Sequence, residues 1–123
     1  MNKWDVVVLS YPFSDLSATK VRPALVVSSD SYNQNSQDAV FILITSNISR
    51  RGPFDAAVAK THPEFALSGL RFDSAVRIDK ITTLNKRLAV ATIGRFGPKL
   101  AAEVEKKLRL FLELPGEQLA LKI

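Results

Sequence analysis

The sequence predicts a mainly β (α+β) domain, a small, strongly bent sheet or half-open barrel of five or six short strands with one carboxyl-terminal helix. Three observations predict it. Apolar, β-favouring runs of strand length recur up to residue 94, separated by Pro, Gly and polar clusters. Residues 73–84 alternate apolar and charged side chains, and Gly97-Pro98 opens the one stretch with helical spacing. With 123 residues, 46% hydrophobic and 24% charged, the chain reads as a single domain, 1–123, with one modest core.

Residues 5–11 contain Val6, Val7, Val8 and Leu9 and read as a buried strand ending at Pro12. Residues 13–20 are small and polar enough for an exposed loop that can cover a site. Pro23 then fixes its own φ and pushes Arg22 into an extended conformation, so 22–29 reads as a second buried strand built on Ala24 to Val27. Arg22 is thereby held at a strand mouth, where a guanidinium is a rigid, permanently charged fork suited to phosphate. A structural or merely solvated arginine is the plain alternative.

Residues 30–38 form a polar connection with room for one helical turn, and 39–45, almost wholly apolar, belong in the middle of the sheet. The longest irregular region is 46–68, with a turn at Arg50-Arg51-Gly52-Pro53, a short strand candidate at 54–59 and a break at Thr61-His62-Pro63. Loops that long tend to be functional, so Arg50 and Arg51 either line an RNA path or form a solvated pair. His62, the single histidine, sits before Pro63 in a loop, where it is either catalytic or, as a lone loop histidine usually is, chemically inert.

In 73–84, Val76, Ile78 and Lys80 fall on one face and Arg77, Asp79 and Ile81 on the other, making Arg77 and Asp79 neighbouring opposite charges. Residues 85–87 turn the chain into a last strand, 88–94. The helix follows, with Leu100, Val104, Leu108, Phe111 and Leu112 at helical spacing. Lys106, Lys107 and Arg109 suit the negative end of its dipole. Pro115-Gly116 is expected to end it, leaving an apolar-tinged tail, 119–123, to pack on the body or on a partner.

Zero Cys rules out disulfides and thiolate metal sites, and one His without clustered carboxylates argues against a metal nuclease. No metal and no cofactor are expected. The amino terminus lacks a signal pattern, and no apolar run approaches the roughly 20 residues that span a bilayer, so a soluble cytoplasmic protein with no membrane partner is expected. Net charge is +5, from 17 Lys and Arg against 12 Asp and Glu, which favours an anionic partner such as nucleic acid.

Asp5-Val6-Val7, Pro12-Phe13-Ser14-Asp15-Leu16, the run from Lys20 to Val27, Ile44-Thr45-Ser46, the run from Asp73 to Leu84 and Ile93-Gly94 together resemble the MazF/PemK family of toxin endoribonucleases. The match runs in order over nearly the whole chain. Its specific parts are Arg22-Pro23 before the second strand, Thr45-Ser46 closing the third, and Arg77-x-Asp79 followed by threonine in the late strand. The resemblance implies an SH3-like half-open barrel of five to seven strands with a C-terminal helix (MazF/PemK/CcdB-like). Such a protein dimerises, cuts single-stranded RNA without metal and is silenced by an acidic antitoxin.

Carried over residue by residue, the catalytic set is Arg22, Thr45, Arg77 and Asp79, and Asp79 varies in type among such enzymes. The RNA-binding set is Lys20, Ser46, Arg50, Arg51, Lys80 and Arg87. Two departures stand out. Trp4 occupies the place where members commonly have Gly, a change expected to alter only packing, and the first loop lacks the His that some members place there.

Metal-free cleavage uses the RNA's own 2′-hydroxyl as nucleophile, so the protein must accept that proton, stabilise charge growing on the phosphoryl oxygens and help protonate the leaving 5′ oxygen. Asp79 is the acid in the set able to accept a proton, but at an ordinary carboxylate pKa it is a weak base unless burial strengthens it. Arg22 and Arg77 suit charge stabilisation, and Thr45 suits hydrogen-bond donation to a phosphoryl oxygen. Two other classes stay open: a gyrase-poisoning toxin acting through its helix end on the same barrel, and a non-catalytic SH3-like module in which Arg22 and Asp79 form a structural ion pair.

Overall fold

The computed structural model describes residues 1–11 and 20–116. Six antiparallel strands, β1 (Asp5–Tyr11), β2 (Lys20–Val26), β3 (Asp38–Thr45), β4 (Ala56–Val58), β5 (Ser74–Asn85) and β6 (Ala89–Arg95), form one sheet in the order β4-β5-β3-β2-β1-β6. Among the described residues three α-helices, α1 (Asp30–Asn35), α2 (Phe65–Ser68) and α3 (Pro98–Leu112), and two short 3-10 turns, Ile48–Arg50 and Lys86–Leu88, complete it. The expected loop over 13–20 and the tail over 119–123 lie outside the described residues, except that Lys20 opens β2.

The apolar runs are explained by burial of both faces of the sheet. Val6, Leu25, Ile42, Ile44, Val76 and Ile78 pack beneath Leu100 and Val104 of α3. Their chain neighbours Val7, Ala24, Val26 and Phe41 point the other way, into a second cluster that Leu84, Leu88 and Ala89 help to close. The curl of the sheet comes from β5, which is long and irregular. Between Ile42↔Ile81 and Ile44↔Val76, β3 passes through Leu43 alone while β5 passes through Arg77, Ile78, Asp79 and Lys80, a bulge that bends the sheet into a half-barrel.

The bulge corrects the simple alternation expected of β5. Val76 and Ile78 are buried and Arg77 and Asp79 point elsewhere, but Ile81 comes to stand opposite Ile42 instead of sharing a face with Arg77, and Lys80 is exposed. Arg22 is likewise not at the mouth of its strand; it is the third residue of β2, opposite Leu9. In the region read as irregular, α2 adds a helical turn.

Trp4 proves more than a packing change. Its φ of 76° lies in the left-handed region where Gly is at ease, a conformation that costs a larger residue about 1–2 kcal/mol. Two backbone hydrogen bonds hold it there, from Trp4 N–H to Val26 O at 2.7 Å and from Phe96 N–H to Trp4 O at 2.8 Å. The indole packs against the α3-side core.

Helix α3 starts at Gly97-Pro98, as its sequence predicts, but Gly97 has no side chain to cap it. Glu64 supplies the cap from outside: Oε1 accepts the Leu100 N–H at 2.8 Å and Oε2 the Lys99 N–H at 3.0 Å. The helix ends at Leu112, ahead of Pro115-Gly116, with Glu113 left-handed. Partial burial raises the Glu64 pKa, but the Leu100 and Lys99 N–H bonds, aided by the charges of His62 and Lys99, lower it below its ordinary 4.5 overall. A carboxyl held lower in the folded state than in the unfolded one stabilises the fold above that ordinary value and loses this contribution as pH falls through the folded value. Glu64→Gln is therefore expected to lower the urea midpoint at neutral pH and to soften the decline below pH 4.5. Parallel acid limbs for variant and parent would show that Glu64 does not set that decline.

Candidate active site

Pro23 has no N–H to offer a neighbouring strand, and the β2–β3 ladder ends beside it, at Ala24 opposite Leu43. Two residues further along each strand stand Arg22 and Thr45, both lining a cavity of about 630 Å³ where the strands part. Val8, Val21, Pro23, Leu70 and Ile93 give it apolar walls, with Ile44, 2% exposed, at its base. Arg22, Thr45, Ser46, Arg71 and Phe72 bring polar and aromatic groups to the same space. Thr45 Oγ1 accepts the Asn47 N–H at 3.0 Å, which leaves the hydroxyl proton to be donated.

One wall depends on a close backbone approach. Gly69, at φ 74°, ends α2, and a Cβ there would lie 2.0 Å from the Ile93 carbonyl oxygen. A Cβ on Gly94 would lie 2.4 Å from the carbonyl of Ser68. These two glycines let α2 lie directly on β6 and deliver residues 69–72 to the cavity. The segment is pinned beyond that point: Ser74 Oγ donates to Phe72 O at 2.7 Å, and the Lys60 N–H donates to Asp73 Oδ1 at 2.7 Å.

Arg77 and Asp79 sit in the β5 bulge, and neither lines the cavity. Thr45 is opposite Ala75, so Arg77, two residues on, is its diagonal neighbour, roughly 7–8 Å away and within reach of a long side chain. Its guanidinium is tied at one edge, with Nε 3.4 Å from Asp55 Oδ2 and 3.7 Å from Asp79 Oδ1. Asp55 is buried and also accepts the Gly52 N–H at 2.9 Å. Asp79 is exposed, so the burial its expected role called for is missing. The ion pair described for Asp79 is with Arg77.

The expected RNA contacts are scattered. Ser46 lines the cavity, and Arg50 and Arg51 are exposed on the turn that follows it. Lys80 is exposed in the bulge, and the side chain of Lys20 lies outside the described residues. Asn85 pairs with Asp38, at the far end of β3 from Thr45, which sets Arg87 about 20 Å from the cavity, too far to contact the same nucleotide. The sequence reading missed Arg71, Phe72 and Asp55. Arg71-Phe72, a base beside an aromatic, was the available signal for the first two.

The half-barrel thus brings an arginine and a threonine to one cavity where two strands part, a class of site whose donors can hold an anion. Residues 2–112 match the family of PemK-like, MazF-like toxins of type II toxin-antitoxin systems, and the chain belongs to that family. The solved structures agree in fold. An endoribonuclease in complex with its cognate antitoxin, from a mycobacterial species, is 23% identical, with 94% of this chain and 98% of that one covered at a TM-score of 0.72. The Mycobacterium tuberculosis toxin MazF-mt6 is 16% identical, with 91% and 99% covered at 0.73. The MazE-MazF complex of Deinococcus radiodurans is 23% identical, with 94% and 97% covered at 0.71. No curated protein sequence gives a significant match.

Proposed function

We propose that this toxin is a metal-independent endoribonuclease that cleaves single-stranded RNA by attack of the 2′-hydroxyl, leaving 2′,3′-cyclic phosphate and 5′-hydroxyl ends. The observation that carries the reading is the cavity that brings Arg22, Thr45 and Ser46 together where the β2–β3 ladder ends. Arg22 binds the charge that grows on the phosphoryl oxygens, and Thr45 donates its hydroxyl proton to one of them. Arg77, the diagonal neighbour of Thr45 outside the cavity lining, assists the leaving oxygen, and its ion-pair partner Asp79, the carboxylate of the set, accepts the 2′-hydroxyl proton as an exposed and therefore weak base.

Family membership and the neighbouring toxin structures captured with their antitoxins support an acidic antitoxin as the silencing partner in the cytoplasm. The net charge of +5 suits both that partner and RNA. The edge strand β6, with Val90 and Ile93 exposed, supports a homodimer.

Purified protein is expected to cut end-labelled single-stranded RNA in the presence of EDTA and to leave ends that resist ligation until the cyclic phosphate is opened. Loss of cutting on chelation would remove the metal-free mechanism. Intact RNA together with arrested gyrase would replace the nuclease by a gyrase poison.

A further inference from the structure

We infer that the cavity is a nucleobase pocket in which Phe72 is the stacking platform and Arg71 holds a phosphate next to the one on Arg22. The inference rests on the nuclease reading for its substrate class, and it names where an RNA base sits. Phe72 is 62% exposed, unusual for an aromatic in so small a domain, yet its backbone is fixed by Ser74 and by the glycine contact between α2 and β6. An exposed ring on a pinned backbone is preorganised and loses little entropy when a base stacks on it. Lys60 Nζ lies over one face of the ring, 5.8 Å from its centroid, so a base stacks on the opposite face with positive charge behind the ring.

The surroundings select a nucleotide over a plain apolar ligand. The space is apolar at its base, at Ile44 and Leu70, while two guanidiniums, Arg22 and Arg71, come to the same cavity. That pairing of an apolar slot with cations matches a flat, uncharged base joined to anionic phosphates on both sides. Neither Arg71 nor Phe72 belongs to the catalytic set above, so their loss should change binding more than chemistry.

The test uses fluorescein-labelled single-stranded octamers of U, A and C, with anisotropy read in EDTA over a series of salt concentrations. Phe72→Ala is expected to weaken the tightest octamer by roughly 5- to 100-fold with an unchanged salt slope, because stacking releases no counterions. Phe72→Trp is expected to restore binding. Arg71→Ala should instead reduce the slope by about 0.7, the value for one phosphate contact on a single strand. Unaltered affinity in Phe72→Ala, a loss that appears as a change in salt slope, or no binding of any octamer by the parent would overturn the pocket. The nuclease reading fails separately: parent protein that binds the octamers through Phe72 but leaves cleavable RNA intact keeps the pocket and loses the enzyme.

Discussion

Replacing Arg22 by alanine is expected to lower single-turnover cleavage by roughly two to three decades, the range for losing one donor aimed at charge that develops in the transition state. Binding should fall much less. Arg50, Arg51, Arg71 and Lys80 all remain exposed, and such contacts supply most of the salt-dependent attraction to RNA. The variant should therefore retain RNA with nearly the parental salt slope. A double Arg50→Ala, Arg51→Ala change should do the opposite, flattening the slope by up to about 1.4 while sparing the chemical step. If Arg22→Ala weakens binding and cutting equally, Arg22 contributes uniform binding, and if the variant unfolds, Arg22 belongs to the scaffold. Either result removes it from the transition state.

A large loss of stability is expected at Gly94, where, unlike at Gly69, no left-handed φ adds to the clash and the close approach is tested alone. Its missing Cβ would overlap the Ser68 carbonyl at 2.4 Å, and both partners are backbone, so no rotamer change relieves the clash. Gly94→Ala must push α2 off β6, at a cost of at least about 3 kcal/mol, above the usual range for overpacking because nothing soft can yield. Urea unfolding should show a lower midpoint with little change in slope. Gly116→Ala, where nothing lies within 4 Å of the added carbon, is the control and should be close to neutral. A Gly94→Ala variant as stable as that control would mean that α2 does not lie on β6 in the folded protein.

The strands were legible in the sequence because both faces of the sheet are buried, so Val6 to Leu9 and Val40 to Ile44 are apolar without interruption. The terminal helix was legible from its spacing and from Pro98. Its cap was not, because the carboxylate comes from Glu64 on a distant segment and no local pattern announces it. Arg22 was singled out because Pro23 beside it shapes the strand, and Thr45 only through the family resemblance; both line the cavity. The β5 bulge was hidden because Arg77-Ile78-Asp79 continues an unbroken alternation even where the register slips. Phe72 and Arg71 belong to a segment with no periodicity, and only the meeting of Gly69 with β6 brings them to the cavity.

The sheet order also sets when the toxin becomes dangerous. β1 pairs with β6, so Asp5 meets Arg95 across nearly the whole described chain, and closing so long a loop is among the slowest steps a small β domain faces. Val8 on β1 and Ile93 on β6 both wall the cavity. During synthesis the amino-terminal strand must wait for β6 to leave the ribosome before that wall can exist, and a fragment ending before β6 never acquires it. The topology thus delays a complete cavity until most of the chain has been made, a built-in interval in which a newborn toxin lacks one wall of its candidate site.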